Sequence, residues 1–414
     1  MGRHMEEFHE IVIVGAGASG LLCGCFLGKA GKDAVILEKN ASAGRKLLAT
    51  GNGRCNFTNR HMSEQCFYGD EEFVTKVLAQ VDAERVIGMF EELGMFHRER
   101  DGYCYPYSGQ AAAPVMVLTE TCRENGISFR FDTEVRNVVH KNGEFVIHCS
   151  RGENFRCRTL VLAAGGKAGT ALGGSGSGYK LCRSLSHHVT DLYPGLTGLR
   201  AAGRQWTALA GVRLQGQVTL LINGRMAGQE SGEIQLVRDG ISGIPVFQLC
   251  RVAAEALAAG KAVTCDLDCC PAMSSGQLKD WLSRHGAARL SGVVHAKLAR
   301  FFTEQAGQSP EALVHMLKQY EIVITDTFGF ERAQVTAGGV STDEVEADSM
   351  QSKLCEGLFI IGELLDVDGI CGGYNLHFAW STAYQCAKKI TEMGIMEMGK
   401  DREDAAVSSV QDQR

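Results

Sequence analysis

Proline is nearly missing from this chain of 414 residues, which has only six. That excludes a collagen-like or proline-rich linker composition. Sixteen cysteines are present, yet no two stand as C-x-x-C. The thioredoxin-type redox pair, the simplest zinc ribbon and the ferredoxin run are therefore removed. Cys265, Cys269 and Cys270 cluster, but no histidine lies at finger spacing from them, so no metal site is expected. Reduced, mostly buried thiols in a cytoplasmic chain are the expectation. Long runs of Lys and Arg are also lacking, and the formal net charge is −6. Nucleic-acid binding leans on clustered cations, so the expected partner is a small-molecule substrate, with no nucleic acid and no membrane. The sequence leaves the oligomeric state open.

What is abundant is glycine, 50 residues or about 12% against a usual value of roughly 7%. Glycine without proline suggests a backbone that repeatedly approaches a ligand or turns at positive φ. Residues 11–28, IVIVGAGASGLLCGCFLG, carry no charge and have nearly the length of a membrane span. Five glycines among them, and a β-branched block running into G-x-G, favour a strand, a tight turn and a helix instead. The leading MGRH reads as a cloning scar before Met5 and is set aside.

Ile11 to Val14 reads as a buried strand, and Gly15, Ala16, Gly17, Ala18, Ser19 and Gly20 give G-x-G-x-x-G. A helix to about Ala30 follows, stopped at Gly31, and then a second strand from Ala34 to Leu37 that ends at Glu38. In such a unit the first glycine makes the turn, the second admits a pyrophosphate and the third lets helix pack on strand. The phosphates sit on unpaired N–H groups at the helix start, and Glu38 is placed to accept hydrogen bonds from a ribose. G-x-G-x-x-G alone is weak; with both strands, the helix and the acid it is a specific dinucleotide signal.

Later segments decide between FAD and NAD. TLVLAAGG, residues 159–166, is an apolar strand running into Ala164, Gly165 and Gly166, small enough to pass a bound dinucleotide. Residues 357–390 read as a strand from Leu358 to Ile361, a turn at Gly362 and Glu363, a glycine-rich loop and a closing helix from about Asn375. Flavin-binding two-dinucleotide-fold proteins bring such a segment back to the first domain, where an acidic residue, Glu363 or Asp366, contacts the ribityl or phosphate region and a helix start (Gly372, Gly373, Tyr374, Asn375, Leu376) faces the flavin. An ordinary NAD dehydrogenase has no need of it, so noncovalent FAD is expected. No second strand–G-x-G-x-x-G–helix unit occurs, so NAD(P)H is expected only as a transient electron donor.

The segments RKLLATGNGRCNFTN, AAGGKAGTALGGSGSGYKL, GEIQLVRDGISG, QVTAGGVSTDEV and GELLDVDGICGGYNLHFAWSTAY occur in that order. Together they resemble the BaiN/YhiN-type FAD-dependent oxidoreductases, also described as aminoacetone-oxidase-type flavoproteins, over about residues 9–392. Leu236, Val237, Arg238 and Asp239 depart from the polar residues that family members carry before G-x-S-G. The resemblance implies that Arg45 and Lys46 lie near the cofactor's phosphates or ribose. It also implies that Thr50, Gly51, Asn52, Gly53, Arg54, Cys55 and Asn56 pass along the isoalloxazine. Cofactor contacts are likewise expected at Lys39 and Val135. Cys55 as a nucleophile would need a nearby base, and His61 is the one histidine close in sequence, so the backbone of this loop is read as its functional part.

The expected fold is α/β: a two-dinucleotide-binding-type Rossmann FAD domain, residues 5–192 and 336–400, with an inserted β-barrel and helical subdomain at 193–335. The stretch FRFDTEVRNVVHKNGEFVIHCS suggests an antiparallel meander. Substrate is expected between insert and flavin, since ligand sites favour domain interfaces, and 401–414 is expected as a disordered tail. GGSGSGYK at 173–180 fails the phosphate-loop pattern because Tyr179 stands at the lysine position. His187 and His188 have no acidic partners nearby in sequence and read as structural. Tyr374 and His377 are the candidate catalytic proton-relay residues, with a structural bond to backbone the plainer role for His377. Within the family two activities are implied, reduction of activated C=C bonds in 3-oxo bile-acid intermediates and oxidation of an amine such as aminoacetone. The reductase reading leads. A flavin-holding sensor without turnover is the rival from another class.

Overall fold

The computed structural model describes residues 6–307 and 309–411, with side chains as far as 393. The chain divides into two compact units, one of residues 1–167, 171–191 and 338–414, the other of 168–170 and 192–337.

The first unit is built on a five-stranded parallel sheet, in the order Leu358–Ile360, Thr159–Leu162, Ile11–Val14, Ala34–Leu37, Ser128–Arg130. Its two central glycine-unit strands are buried at every position, as expected for parallel strands covered on both faces. Helix Ala18–Lys29 buries nine of its twelve residues and lies against the closing helix, Tyr374–Gln411, with Cys23 Sγ and Cys386 Sγ 3.9 Å apart. Gly31 at φ 70° ends the first helix, as a left-handed position after a helix favours glycine. The eighteen uncharged residues are thus strand, turn and helix. Among the described residues no helix is long and apolar enough to cross a membrane.

Strands Val135–Lys141, Glu144–Cys149 and Asn154–Cys157 form the meander, with Glu6–Phe8 added in parallel at its edge. The start of the FRFDTEVR stretch departs from the expectation: Ser128–Arg130 pairs with Ala34–Leu37 in the parallel sheet, because its residues follow helix Ala112–Glu124 in a β-α-β crossover. The closing helix continues through 401–411, where the sequence reading expects a disordered tail; Met1 to Met5 and residues 412–414 lie outside the described residues.

The second unit is a closed antiparallel barrel of six strands, Leu199–Ala201, Gly240–Ser242, Arg225–Val237, Arg213–Ile222, Val263–Asp268 and Tyr320–Thr327 in that order around it. Val218, Leu220, Ile234, Ile241, Cys265 and Ile324 are among its buried side chains. Helices Ser275–His285 and Pro310–Lys318 carry the helical patterns of GQLKDWLSRHG and PEALVHMLKQY, and helix Ala296–Ala306 lies between them in the chain. Ser274 and Gln277 cap the first of them reciprocally.

Candidate active site

The three glycines of the turn have separable roles. A methyl group on Gly15 would lie 2.4 Å from the Ala163 carbonyl oxygen, and one on Gly20 would lie 1.9 Å from the Gly15 carbonyl oxygen. Packing within the protein therefore demands both. A methyl group on Gly17 would meet nothing within 4 Å, and its backbone is at φ −83°, which any residue adopts. Gly17 is the N-cap of helix Ala18–Lys29, and no side chain caps that helix start. The helix's first N–H groups are thus left without a capping side chain, which suits an anion.

Glu38 is buried, and its Oε2 accepts the Ala16 N–H at 2.8 Å. Its Oε1 accepts the Asn40 backbone N–H at 2.9 Å and the Asn40 side-chain amide at 2.5 Å. Ionised carboxylate oxygens hold about four lone-pair sites, so capacity for a ribose hydroxyl remains. Glu38 lines a small, partly open cleft of about 30 Å³ together with Gly15, Lys39, Val135, Ala164 and Ser177. Lys39 donates to Ser175 Oγ at 2.6 Å, and burial lowers its pKa. This fixes the 173–180 loop beside the cleft. Sequence reasoning missed Asn40 and Ser177; an asparagine two residues after the acid was the available signal.

The loop after Glu38 meets the late segment. Lys46 Nζ donates to both carboxylate oxygens of Glu363, at 2.8 and 2.7 Å. Arg45 donates to Asn40 Oδ1 and to the Ala171 carbonyl. Gly362, at φ 69°, lies so close to Ser19 that a methyl group there would sit 2.5 Å from Ser19 Oγ. Gly165, also left-handed at φ 68°, places its methyl position 4.0 Å from Glu363 Oε2, and Gly166 accepts the Gly176 N–H. Residues hundreds of positions apart are therefore gathered at the end of the parallel sheet.

In the stretch TGNGRCN, Gly51, Asn52, Gly53 and Cys55 all have positive φ, at 55°, 53°, 80° and 57°. Residues 51–54 are exposed while Cys55 is fully buried. Thr50 turns its hydroxyl onto the Leu47 carbonyl. Burial pushes the Cys55 thiol up to about 12, so it is no thiolate at neutral pH and no nucleophile. Among the described residues three buried acceptors lack any partner; Gln385 Oε1 is in the closing helix, and the other two, Asn56 Oδ1 and Asp366 Oδ1, belong to the loops of this site. An unpaired buried polar atom costs roughly 1–3 kcal/mol, and a bound group carrying donors would satisfy both.

The GICGGYN loop closes on itself, with Asn375 accepting the Gly369 N–H at 2.8 Å and donating to the Gly369 carbonyl at 2.7 Å. Asn59, a residue the sequence reading passed over, donates to the Gly372 carbonyl at 2.9 Å. Gly372 and Gly373 have φ of 133° and 95°, and a methyl group on Gly373 would lie 2.9 Å from Asn56 Oδ1. The two glycine-rich loops are thus in contact. Tyr374 is buried, its hydroxyl donates to the His61 carbonyl at 3.3 Å, and burial raises its pKa. Leu376 is half-buried in the first turn of the closing helix.

His377 has no exposed surface. Its Nδ1 is 2.8 Å from Thr58 Oγ1 and its Nε2 is 3.0 Å from the Val81 carbonyl. The carbonyl can only accept, so Nε2 carries the proton and Nδ1 accepts from Thr58. Burial pushes its pKa down to about 4. With both nitrogens engaged, the ring holds the helix to its neighbours and has no nitrogen left for a relay. His187 finds its acid far away in sequence: Nδ1 lies 2.9 Å from Glu344 Oε2, and Nε2 lies 2.8 Å from Ser352 Oγ. No group of three or more His, Cys, Asp and Glu able to hold a metal occurs among the described residues.

The open side of Gly17, the uncapped helix start and the two orphaned acceptors fit a bound dinucleotide. A family model described as the HI0933-like protein Rossmann domain matches residues 9–389. The chain belongs to that family. It is 37% identical to the 3-dehydro-bile acid delta(4,6)-reductase of Clostridium scindens, over 93% of this chain and 99% of that one. It is 28% identical to the ribosomal RNA dihydrouridine synthase of Escherichia coli, over 93% of this chain and 98% of that one. In fold it is similar to a 3-ketosteroid-Δ4-(5α)-dehydrogenase of Rhodococcus jostii, with TM-score 0.51 at 14% identity, covering 93% and 97% of the two chains.

This HI0933-like, BaiN-type protein is an FAD-dependent oxidoreductase. The expectation that nucleic acid plays no part loses its support, since a relative matched along almost its whole length is named for ribosomal RNA. That expectation rested on the missing run of Lys and Arg, and a search for runs does not detect single cations that the alternation of a strand turns to one face.

Proposed function

We propose that the enzyme uses NADH or NADPH to reduce a carbon–carbon double bond conjugated to a carbonyl, as in a 3-oxo-4-ene bile-acid or steroid intermediate. FAD held at the glycine turn and Glu38, once reduced by the nicotinamide, would supply the hydride for the β-carbon. The observation that carries the reading is Tyr374. Its neutral phenol is buried next to Gly372 of the GICGGYN loop, with a hydrogen bond of only 3.3 Å to the His61 carbonyl. A neutral, weakly held O–H is a competent general acid for the α-carbon. The exposed loop at 51–54 supplies backbone N–H groups that can polarise the substrate carbonyl. His377 has no chemical role in this scheme.

The relatives support the reaction type. One is named as a delta(4,6)-reductase and the other as a dihydrouridine synthase. Uracil's 5,6 double bond, like a 3-oxo-4-ene, is conjugated to a carbonyl. The test is product analysis under anaerobic conditions in D₂O, with NADPH and a 3-oxo-4-ene steroid. The expected product gains two hydrogens, one of them deuterium at the α-carbon. No saturated product, together with peroxide formation from an aminoketone in air, would replace this reading with an amine oxidase.

A further inference from the structure

A second feature of the first unit lies beside the candidate active site. The stretch HRERDGYCYPY folds as a hairpin, strands His97–Arg100 and Tyr103–Pro106, with Asp101 and Gly102 both at positive φ (52° and 81°). An Asp-Gly pair in that conformation makes a two-residue turn and fixes the register. Cross-strand partners are Arg98 with Tyr105, Arg100 with Tyr103 and, from the third strand, Asn59 with Tyr103. Opposed residues share a face and alternate residues change face. One face thus carries Arg98, Arg100, Tyr103 and Tyr105, and the buried Cys104 and Pro106 lie on the other.

The alternation continues past both strand ends. Tyr107 is 70% exposed and Phe96 is 74% exposed, and the Tyr107 N–H donates to the Phe96 carbonyl. Glu99 is on the opposite face and is occupied by Arg60. Arg100 has only a 3.5 Å contact with Asp101, both side chains being more than four-fifths exposed. Arg98 has no carboxylate within ion-pair distance among the described residues. In a protein of net charge −6, this solvent-facing strip joins two exposed guanidinium groups, one of them with no carboxylate partner, to a row of aromatic rings about 7 Å apart along the strand.

We propose that this face binds single-stranded RNA, with Tyr103, Tyr105 and Tyr107 stacking on bases and Arg98 and Arg100 holding phosphates. The charge is of the sign a polyanion needs, and repeated rings suit a ligand with repeated bases. The face also leads to the site: Gly372 lies between the Tyr103 and Tyr374 rings, its methyl position 3.0 and 3.1 Å from them. A uracil brought there would present a C=C bond conjugated to a carbonyl. For that chemistry the inference rests on the reduction proposed above, but binding itself does not depend on it.

The experiment measures fluorescence anisotropy of a labelled uridine-rich 12-nucleotide RNA with the FAD-loaded full chain across a salt series. Binding should weaken steeply with salt, as roughly the 0.7 power of salt concentration per phosphate contact for single strands. Arg98→Glu with Arg100→Glu should weaken binding at least about tenfold and flatten the salt dependence by roughly two contacts. Tyr107→Ala should weaken it roughly tenfold with the salt slope unchanged. FAD content and steroid reduction should stay at wild-type levels in each variant, which shows that the fold and site are intact. No binding by the wild type at low salt, unchanged binding in the double variant, or equal affinity for a duplex would overturn the proposal. So would a double variant that needs more NADPH to bleach the flavin but still binds RNA normally; the face would then serve the dinucleotide. RNA binding by a wild type that does not reduce the steroid would sink the reduction reading alone.

Discussion

Gly17 and Gly20 sit three residues apart in one motif, yet the structure assigns them different failures when each is changed to alanine. At Gly20 the new methyl would lie 1.9 Å from the Gly15 carbonyl oxygen and 3.3 Å from Ala163 Cβ. Neither neighbour is a flexible side chain end, so the strand–turn–helix must open. The upper end of the usual overpacking range, about 3 kcal/mol or more, is expected. At Gly17 the methyl enters open space at an ordinary φ, and the apoprotein should lose no more than about 1 kcal/mol, the scale of an N-cap change. The cost there falls on the cofactor, whose pyrophosphate approaches the backbone at the second glycine. An intruding methyl worth about 2 kcal/mol raises Kd roughly thirtyfold. Urea melts of the apoproteins and FAD titration by fluorescence quenching separate the two effects. Wild-type FAD affinity in Gly17→Ala, or an apoprotein as unstable as that of Gly20→Ala, would refute the division of labour.

Cys55→Ser should keep FAD and most turnover, because the thiol is buried and neutral, whereas Gly53→Val, forcing a β-branched residue to φ 80°, should cost about 1–2 kcal/mol and lose both; an intact flavin spectrum with no activity in Cys55→Ser would restore the thiol to the mechanism. Acid should destabilise the fold through His377. Its folded pKa of about 4 lies below the unfolded value near 6.5, so the unfolded state binds the proton first. Stability then falls as pH drops from about 6.5 to 4, by roughly 3 kcal/mol in all, and levels off below; urea melts at several pH values should show this slope shrinking in His377→Gln. Tyr374→Phe should leave FAD binding and flavin reduction by nicotinamide intact and slow the oxidative half-reaction with an enone by roughly a hundredfold or more, which stopped-flow absorbance would detect; an unchanged rate would remove Tyr374 as the acid.

The parts of the fold legible in the sequence are those that depend on neighbours along the chain. IVIV, GAGASG and AVIL show their roles by period and by glycine placement, and the structure has strand, turn, helix and strand within a residue or two of those bounds. The patterns of GQLKDWLSRHG and PEALVHMLKQY carried the same local information. Contacts that close across the chain were not legible. Lys46 meets Glu363 over 317 positions, and His377 is kept neutral by burial in a tertiary core, its ring nitrogens engaged by Thr58 and Val81. Both partners of the ion pair read as cofactor ligands in sequence; the structure also pairs them with each other. The arginine–tyrosine face falls between these cases. Its D-G turn was readable, but only the register shows that Arg98 and Arg100 join the tyrosines while Glu99 faces away.

The central claim, a nicotinamide-driven reduction of a carbonyl-conjugated double bond, is tested most directly by following the flavin absorbance of the FAD-loaded protein under anaerobic conditions. The account predicts that NADH or NADPH bleaches the band and that a 3-oxo-4-ene steroid added afterwards restores it, with substrate and donor competing for one site. It would be contradicted if neither nucleotide bleached the flavin while an aminoketone did, with oxygen then restoring the colour and releasing peroxide.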